Sequence, residues 1–312
     1  MASILGIVLP VFALIFAGWL VRRIGVMGPQ ATSELNRFVV YLALPALLFD
    51  IVAGSSWQQL WQPNFVAAFM GSTLAVFGLT VLARGWRGGF DADGPVLGLA
   101  AAYPNNGYIG FPLLLAALGP ASNTLTLISV IIVACVLFAI AIVLIEMRLH
   151  AGSHPLQVAR KVAGSLVKNP LIVAPVIAAF FPATGAHMPH PVQVFLKLLG
   201  GAASPCALVG LGLFLAQERP TPERGAGGQA ATVVALKLVV HPALAWLLAT
   251  TLFPLAAPAR HAAVLLAMLP TGTGPFMLAE FYGREAGVTA RAILVSTILS
   301  VLTLSAYLAA IS

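Results

Sequence analysis

Apolar runs of about twenty residues recur along the chain, separated by short polar segments that carry glycine, proline and charge. A bilayer core of about 30 Å needs roughly 20 apolar residues per helix. The pattern therefore predicts ten transmembrane helices, at 3–22, 35–54, 64–84, 94–118, 122–147, 168–183, 191–216, 229–254, 261–283 and 288–311. The two longest connections, 148–167 and 217–228, are polar and too short for a soluble domain. Two of the runs are broken in the middle. Tyr103-Pro104-Asn105-Asn106-Gly107-Tyr108-Ile109-Gly110-Phe111-Pro112 interrupts span 4, and Leu269-Pro270-Thr271-Gly272-Thr273-Gly274-Pro275 interrupts span 9. Proline removes a backbone donor and collides with the preceding turn, and glycine adds slack. In hydrocarbon an unpaired backbone group costs several kcal/mol, so irregular chain at that depth must be enclosed by protein or line a cavity. A kinked helix explains one such break. Two, at matching places in two halves, point to a transporter's substrate site.

The prolines bring out the halves. Pro45 and Pro205 lie 160 residues apart, Pro104 and Pro270 lie 166 apart, and Pro10 matches Pro170 or Pro175. This near-constant offset predicts two five-helix repeats, 1–147 and 168–312, joined by a linker at 148–167. Five is odd, so the second repeat enters the membrane from the opposite side, and spans 4 and 9 become antiparallel helices that can cross at their breaks. The expected fold is all-α and integral to the membrane, a 5+5 inverted repeat.

Composition agrees: 60% of the 312 residues are hydrophobic and 8% charged, against roughly 25% charged in soluble domains. The net charge of +7 would suggest nucleic acid in a soluble chain; here it sits in short loops, and no nucleic-acid partner is expected. Of 16 basic residues, 13 fall in the loops between spans 1–2, 3–4, 5–6, 7–8 and 9–10 or at their helix ends: Arg22, Arg23, Arg37, Arg84, Arg87, Arg148, Arg160, Lys161, Lys168, Arg219, Arg224, Arg284 and Arg291. Only Arg260 lies in the opposite loops. The positive-inside rule makes the first set cytoplasmic and places both termini outside. Cys135 and Cys206 both fall within apolar runs and read as small buried hydrophobes. The first run lacks a basic leader and a cleavage site, which makes it a retained span.

The candidate chemistry gathers at the breaks. The second half-helices start near Asn106 and Gly272, and two helix N-termini meeting at mid-membrane suit a carboxylate. Asn105, Asn106, Gly107, Thr271, Gly272 and Thr273 are the candidate substrate-binding residues, with Pro104 and Pro270 making the breaks. The alternative is that these Asn and Thr side chains only cap the broken helices. Ionisable groups inside spans are costly and mark function by default. Lys237 lies too deep to snorkel, His241 follows on the same face four residues later, and Asp50 is the only outer-half acid; these three are the coupling candidates. Glu146, Glu280 and Lys197 lie nearer span ends. No motif for a cofactor or metal is present, and the six histidines form no H-E-x-x-H, which argues against an intramembrane protease. A channel is expected to use a ring of identical filter segments, whereas one inverted repeat supplies a single crossing.

Several stretches resemble the auxin efflux carrier family of membrane transporters: NRFVVYLALPALLF from Asn36, NNGYIGFPLL from Asn105, ASPCALVGLGLFLA from Ala203, LKLVVHP from Leu236 and LPTGTGPFMLAEFYG from Leu269. The resemblance implies a ten-helix inverted repeat with crossing spans 4 and 9, similar to the bile acid sodium symporters. It implies a secondary carrier of organic anions such as auxin, malonate or malate, working by alternating access in a bacterial cytoplasmic membrane and driven by protons or potential. An elevator motion follows by the same analogy, with spans 2 and 7 as a stationary surface on which a homodimer could form. Sodium coupling, as in the bile acid symporters, stays open as the alternative: the breaks carry no acid, but carbonyls and threonine hydroxyls remain as ligands. This chain lacks the long cytoplasmic loop of the plant auxin carriers and has Thr in span 9 where span 4 has Asn.

Overall fold

The computed structural model describes residues 2–151, 155–217 and 226–311, and its regular elements are helices, with no strand among the described residues. They are α1 (Ala2–Arg23), α2 (Ala31–Ala53), α3 (Pro63–Gly88), α4 (Asp93–Ala102), α5 (Asn106–Leu118), α6 (Ser122–Leu149), α7 (Pro155–Lys168), α8 (Pro170–Thr184), α9 (His190–Leu215), α10 (Gly227–Thr250), α11 (Ala257–Met268), α12 (Gly274–Tyr282) and α13 (Ala286–Ile311). Six of them, α2, α3, α6, α9, α10 and α13, are long and apolar enough to cross a membrane, and α7 with α8, bent by 69°, would make a seventh. The hydropathy pattern predicted ten. Predicted span 1 is α1, and predicted spans 4 and 9 are each a pair of short helices, α4 with α5 and α11 with α12. At 1.5 Å per residue none of these halves reaches across 30 Å by itself.

Proline shapes several of the long helices as well. Wide π-turns occupy Val39–Ala43, Asn106–Gly110 and Leu236–Val240, and each ends two residues before a proline: Pro45, Pro112 and Pro242. A proline ring collides with the carbonyl four residues back, here Tyr41, Tyr108 and Leu238, and a wider turn moves that carbonyl aside without ending the helix. A fourth π-turn, Ile132–Leu137, has no such proline.

The helices pack as two groups. In one, α1 lies along α9, and α2 packs against α8 and α9. The α1–α9 contact is backbone to backbone: a Cβ on Gly18 would overlap the Val209 carbonyl, and one on Gly212 the Ile15 carbonyl. Gly200 brings α9 equally close to α2, where a Cβ would stand 2.8 Å from the Leu47 Cα. The other group holds α3, α4, α6, α10, α11, α12 and α13, packed around a core that includes Phe69, Leu99, Leu266 and Phe276. Polar ties run within it. Arg84 pairs with Asp91 at 3.0 Å, Arg284 with Asp93 at 3.4 Å, and the Tyr282 hydroxyl donates to Glu146 at 2.8 Å. Across the boundary, the Asn36 side chain on α2 donates to the Met277 carbonyl on α12 at 3.3 Å.

The 148–167 linker, described save for 152–154, is helical from Pro155. Arg160 and Lys161 face outward while Val162 is buried. Asn169 caps the helix that follows, accepting from the Leu171 amide at 3.0 Å with Pro170 in the first position. Arg219 and Arg224 of the other long connection lie outside the described residues.

Candidate functional site

The two breaks meet. Tyr103 ends α4 with extended backbone, and Pro104 lies antiparallel to Thr271. The Asn105 amide donates to the Pro270 carbonyl at 2.9 Å, and the Gly272 amide donates to the Tyr103 carbonyl at 2.9 Å. Each break thus satisfies the other's backbone, which is the requirement for non-helical chain among buried residues. Glycine permits this approach, because a Cβ on Gly272 would stand 2.9 Å from two atoms of the Tyr103 ring and 3.3 Å from the Asn105 Cα.

Beside the first break lies a cavity of about 260 Å³ on the boundary between the two groups of helices. Leu44, Leu47 and Leu48 of α2 and Gly200, Ser204 and Pro205 of α9 form one wall. Tyr103 to Tyr108, with Val130, Val133 and Ala134 of α6, Thr273, and Gly274 and Met277 of α12, form the other. Among the described residues, no charged side chain lines it. Asn106, at the start of α5, is only 1% exposed, and its Nδ2 donates to the Ser129 hydroxyl at 2.8 Å. Ser129 in turn donates its hydroxyl to the Thr126 carbonyl at 2.6 Å. Gly107 is exposed, with nothing within 4 Å of where a Cβ would be. As the first amides of α5, those of Gly107 and Tyr108 have no carbonyl one turn back within the helix to bond.

The remaining candidates are placed differently. Thr273 reaches the cavity; Thr271 and Gly272 do not. Thr271 is fully buried, its hydroxyl donating to the Ala100 carbonyl at 2.9 Å and its amide to the Ser296 hydroxyl at 3.0 Å. It closes the end of α4. The Gly272 amide, expected to be free for a ligand, is consumed by the crossing itself. Lys237 and His241 are also fully buried and outside the cavity. Lys237 donates to the Ala267 carbonyl, one of the last of α11, and lies 3.3 Å from His241 Nδ1. The Thr73 hydroxyl donates to Phe69 at 2.7 Å, so His241 Nε2, 3.2 Å away, must be the donor to Thr73 and Nδ1 the acceptor from Lys237. Asp50 also stands outside the cavity, where it feels the charge of Lys197 on α9. Pro104 lines the cavity and Pro270 does not.

Sequence reasoning missed Ser129, the wall of α6 and the facing glycines of α9. A serine in mid-run was the available signal for the first, and the alignment of Pro205 with Pro45 was the signal for the last.

A family model described as a membrane transport protein matches residues 3–308. The chain belongs to this family, that of the auxin efflux carriers. It is 35% identical over 314 residues to a Rhizobium meliloti (strain 1021) protein named "Putative malonate transporter", covering 99% of this chain and 96% of that protein. It is 21% identical over 349 residues to auxin efflux carrier component 8 of Arabidopsis thaliana, covering 96% of this chain and 94% of that protein. The uncharacterized transporter YfdV of Escherichia coli (strain K12) is 24% identical over 226 residues, 69% of each chain. The family and these relatives are transporters, and the apolar helices agree with a multi-pass membrane protein.

Proposed function

We propose that this chain is a secondary active carrier that moves a small organic acid, a malonate-like mono- or dicarboxylate, across the bacterial cytoplasmic membrane by alternating access. The observation that carries the reading is the cavity at the first break, small, free of charged side chains and set between two groups of helices. Its volume falls just below the roughly 300–1,000 Å³ of drug-sized pockets, which suits a substrate of few atoms. In this reading Asn105, Asn106, Gly107 and Thr273 contact the substrate, Pro104 and Pro270 hold the breaks open, and Thr271 and Gly272 fasten the crossing. Lys237 and His241 support the end of α11, and Asp50, outside the cavity, remains the coupling candidate.

The architecture we propose is ten spans in two inverted repeats, 1–147 and 168–312, with 148–167 on the cytoplasmic face and both termini outside. The group containing the crossing moves as a unit past α1, α2, α8 and α9, which supply the surface for a homodimer. The close backbone seams at Gly18, Gly200 and Gly212, which hold α1, α2 and α9 to one another, support their staying together as one unit.

Reconstituted in proteoliposomes, the protein should show saturable malonate uptake that is accelerated by malonate on the opposite side. Flux that rises linearly with concentration and shows no counterflow would instead mean a channel. For the topology, Ser312→Cys should react with an impermeant maleimide in outer-membrane-permeabilised cells while Gly152→Cys stays protected; the reverse pattern inverts the arrangement.

A further inference from the structure

The hydrogen bonds around Asn106 fix which way its amide faces. Ser129 has one hydroxyl proton, and it goes to the Thr126 carbonyl. Ser129 can therefore only accept from Asn106, so Nδ2 must point at Ser129, and flipping the amide would set two acceptors against each other. The Asn106 Oδ1 is left as the free end. It is buried and has no protein partner. Asn106 lines the cavity, and the next two residues, Gly107 and Tyr108, start the half-helix with amides that are donors. The first break thus offers an acceptor beside donors, in a cavity with no charged wall.

A carboxylate has only acceptors. It would satisfy the amides but press a negative oxygen toward the Asn106 Oδ1, with no cation in the wall to compensate. A protonated carboxyl has one acceptor, its carbonyl, and one donor, its O–H, and matches both sides of the site. Building on the carrier function proposed above, we infer that the substrate carboxyl held at Asn106 is taken in its protonated form, so that each acid moved carries a proton on itself. No protein group has to titrate: a carboxylate in solution takes a proton on the loading side, binds as the acid, and gives the proton up after release on the other side. The titratable groups facing the cavity are the phenols of Tyr103 and Tyr108, with the Cys135 thiol of α6 acting on Tyr103. The lining residues of α2, α9 and α12 include none. Lys237 and His241 are committed to Ala267 and Thr73, and Asp50 and Lys197 lie outside the cavity.

The test is equilibrium binding to the purified full chain of malonate and of its monoamide, malonamate, whose amide end presents the same donor and acceptor at every pH. Above the second pKa of malonate the binding-competent fraction drops tenfold per pH unit, so malonate affinity should fall about tenfold between pH 7 and pH 8. Malonamate should bind with the same affinity at both and more tightly than malonate at pH 8. Malonate affinity that does not change with pH would overturn the inference, as would an equal fall for both ligands, which would mean that a protein group titrates. A requirement for sodium would overturn it too, because a metal ion would then be the partner of Oδ1. In these three cases the carrier site still stands if Asn106→Ala weakens malonate binding at least tenfold at every pH at which malonate binds. If neither ligand binds at any pH between 5 and 8, the assignment of the site fails and the inference with it.

Discussion

The two broken segments look like counterparts in the chain, each a proline followed by polar residues and glycine in mid-run, yet their surroundings differ. At the first, Asn106 starts a half-helix beside a cavity, Gly107 is open, and a buried amide oxygen has no protein partner. At the second, Thr271 is closed in by Ala100 and Ser296, Gly272 lies against Tyr103, and the end of the preceding half-helix is held by Lys237. In the function proposed above, the first break receives the substrate and the second holds the first in place. Two breaks alike in sequence thus need not do the same work: each satisfies the other's backbone, but only the first lies beside a cavity with an unpartnered polar atom.

The same substitution at a glycine of each break should expose this difference most sharply. Gly272→Ala forces a Cβ into the Tyr103 ring, and overpacking of this kind typically costs ~1–3 kcal/mol, read as a lower thermal unfolding temperature in detergent. Gly107→Ala meets no atom within 4 Å and should stay within about 0.5 kcal/mol of the parent, as surface changes do, while narrowing the cavity and weakening binding. Equal stability losses at the two glycines would break the comparison.

Asn106→Ala should cost about tenfold in malonate affinity, near 1.4 kcal/mol, with little loss of stability, because Ser129 keeps its bond to Thr126. Isothermal titration checks the affinity, and an unchanged binding constant would remove Asn106 from the site. The smallest effect is expected at Thr271→Val, which keeps the shape and removes the hydroxyl from the Ala100 carbonyl. The loss is about 1 kcal/mol of stability, with affinity unchanged. Should affinity fall at Thr271 as much as at Asn106, both breaks bind ligand.

Much of this was legible beforehand. Pro104 and Pro270 announced both breaks, since proline and glycine leave a composition signal wherever they act on the backbone. The long apolar spans were equally plain from hydropathy. Less visible were the roles of the polar residues: Thr271 and Thr273 stand two positions apart, yet one is buried under α4 and α13 and the other lines the cavity. In irregular chain there is no fixed periodicity from which to read the side a residue faces. Lys237 likewise announced itself by depth alone, and what it holds, the end of α11, could not be inferred from its neighbours in sequence.

By itself, then, the order of residues determined that the chain is built of apolar helices and that two of them must break, because these follow from local backbone chemistry and from the cost of polar groups in hydrocarbon. Only the tertiary structure decided which break stays open. That choice rests on contacts between residues far apart in sequence, Tyr103 against Gly272, Thr271 on Ala100 and Ser129 orienting Asn106, and a hydrogen bond goes to whichever partner the packing brings within reach.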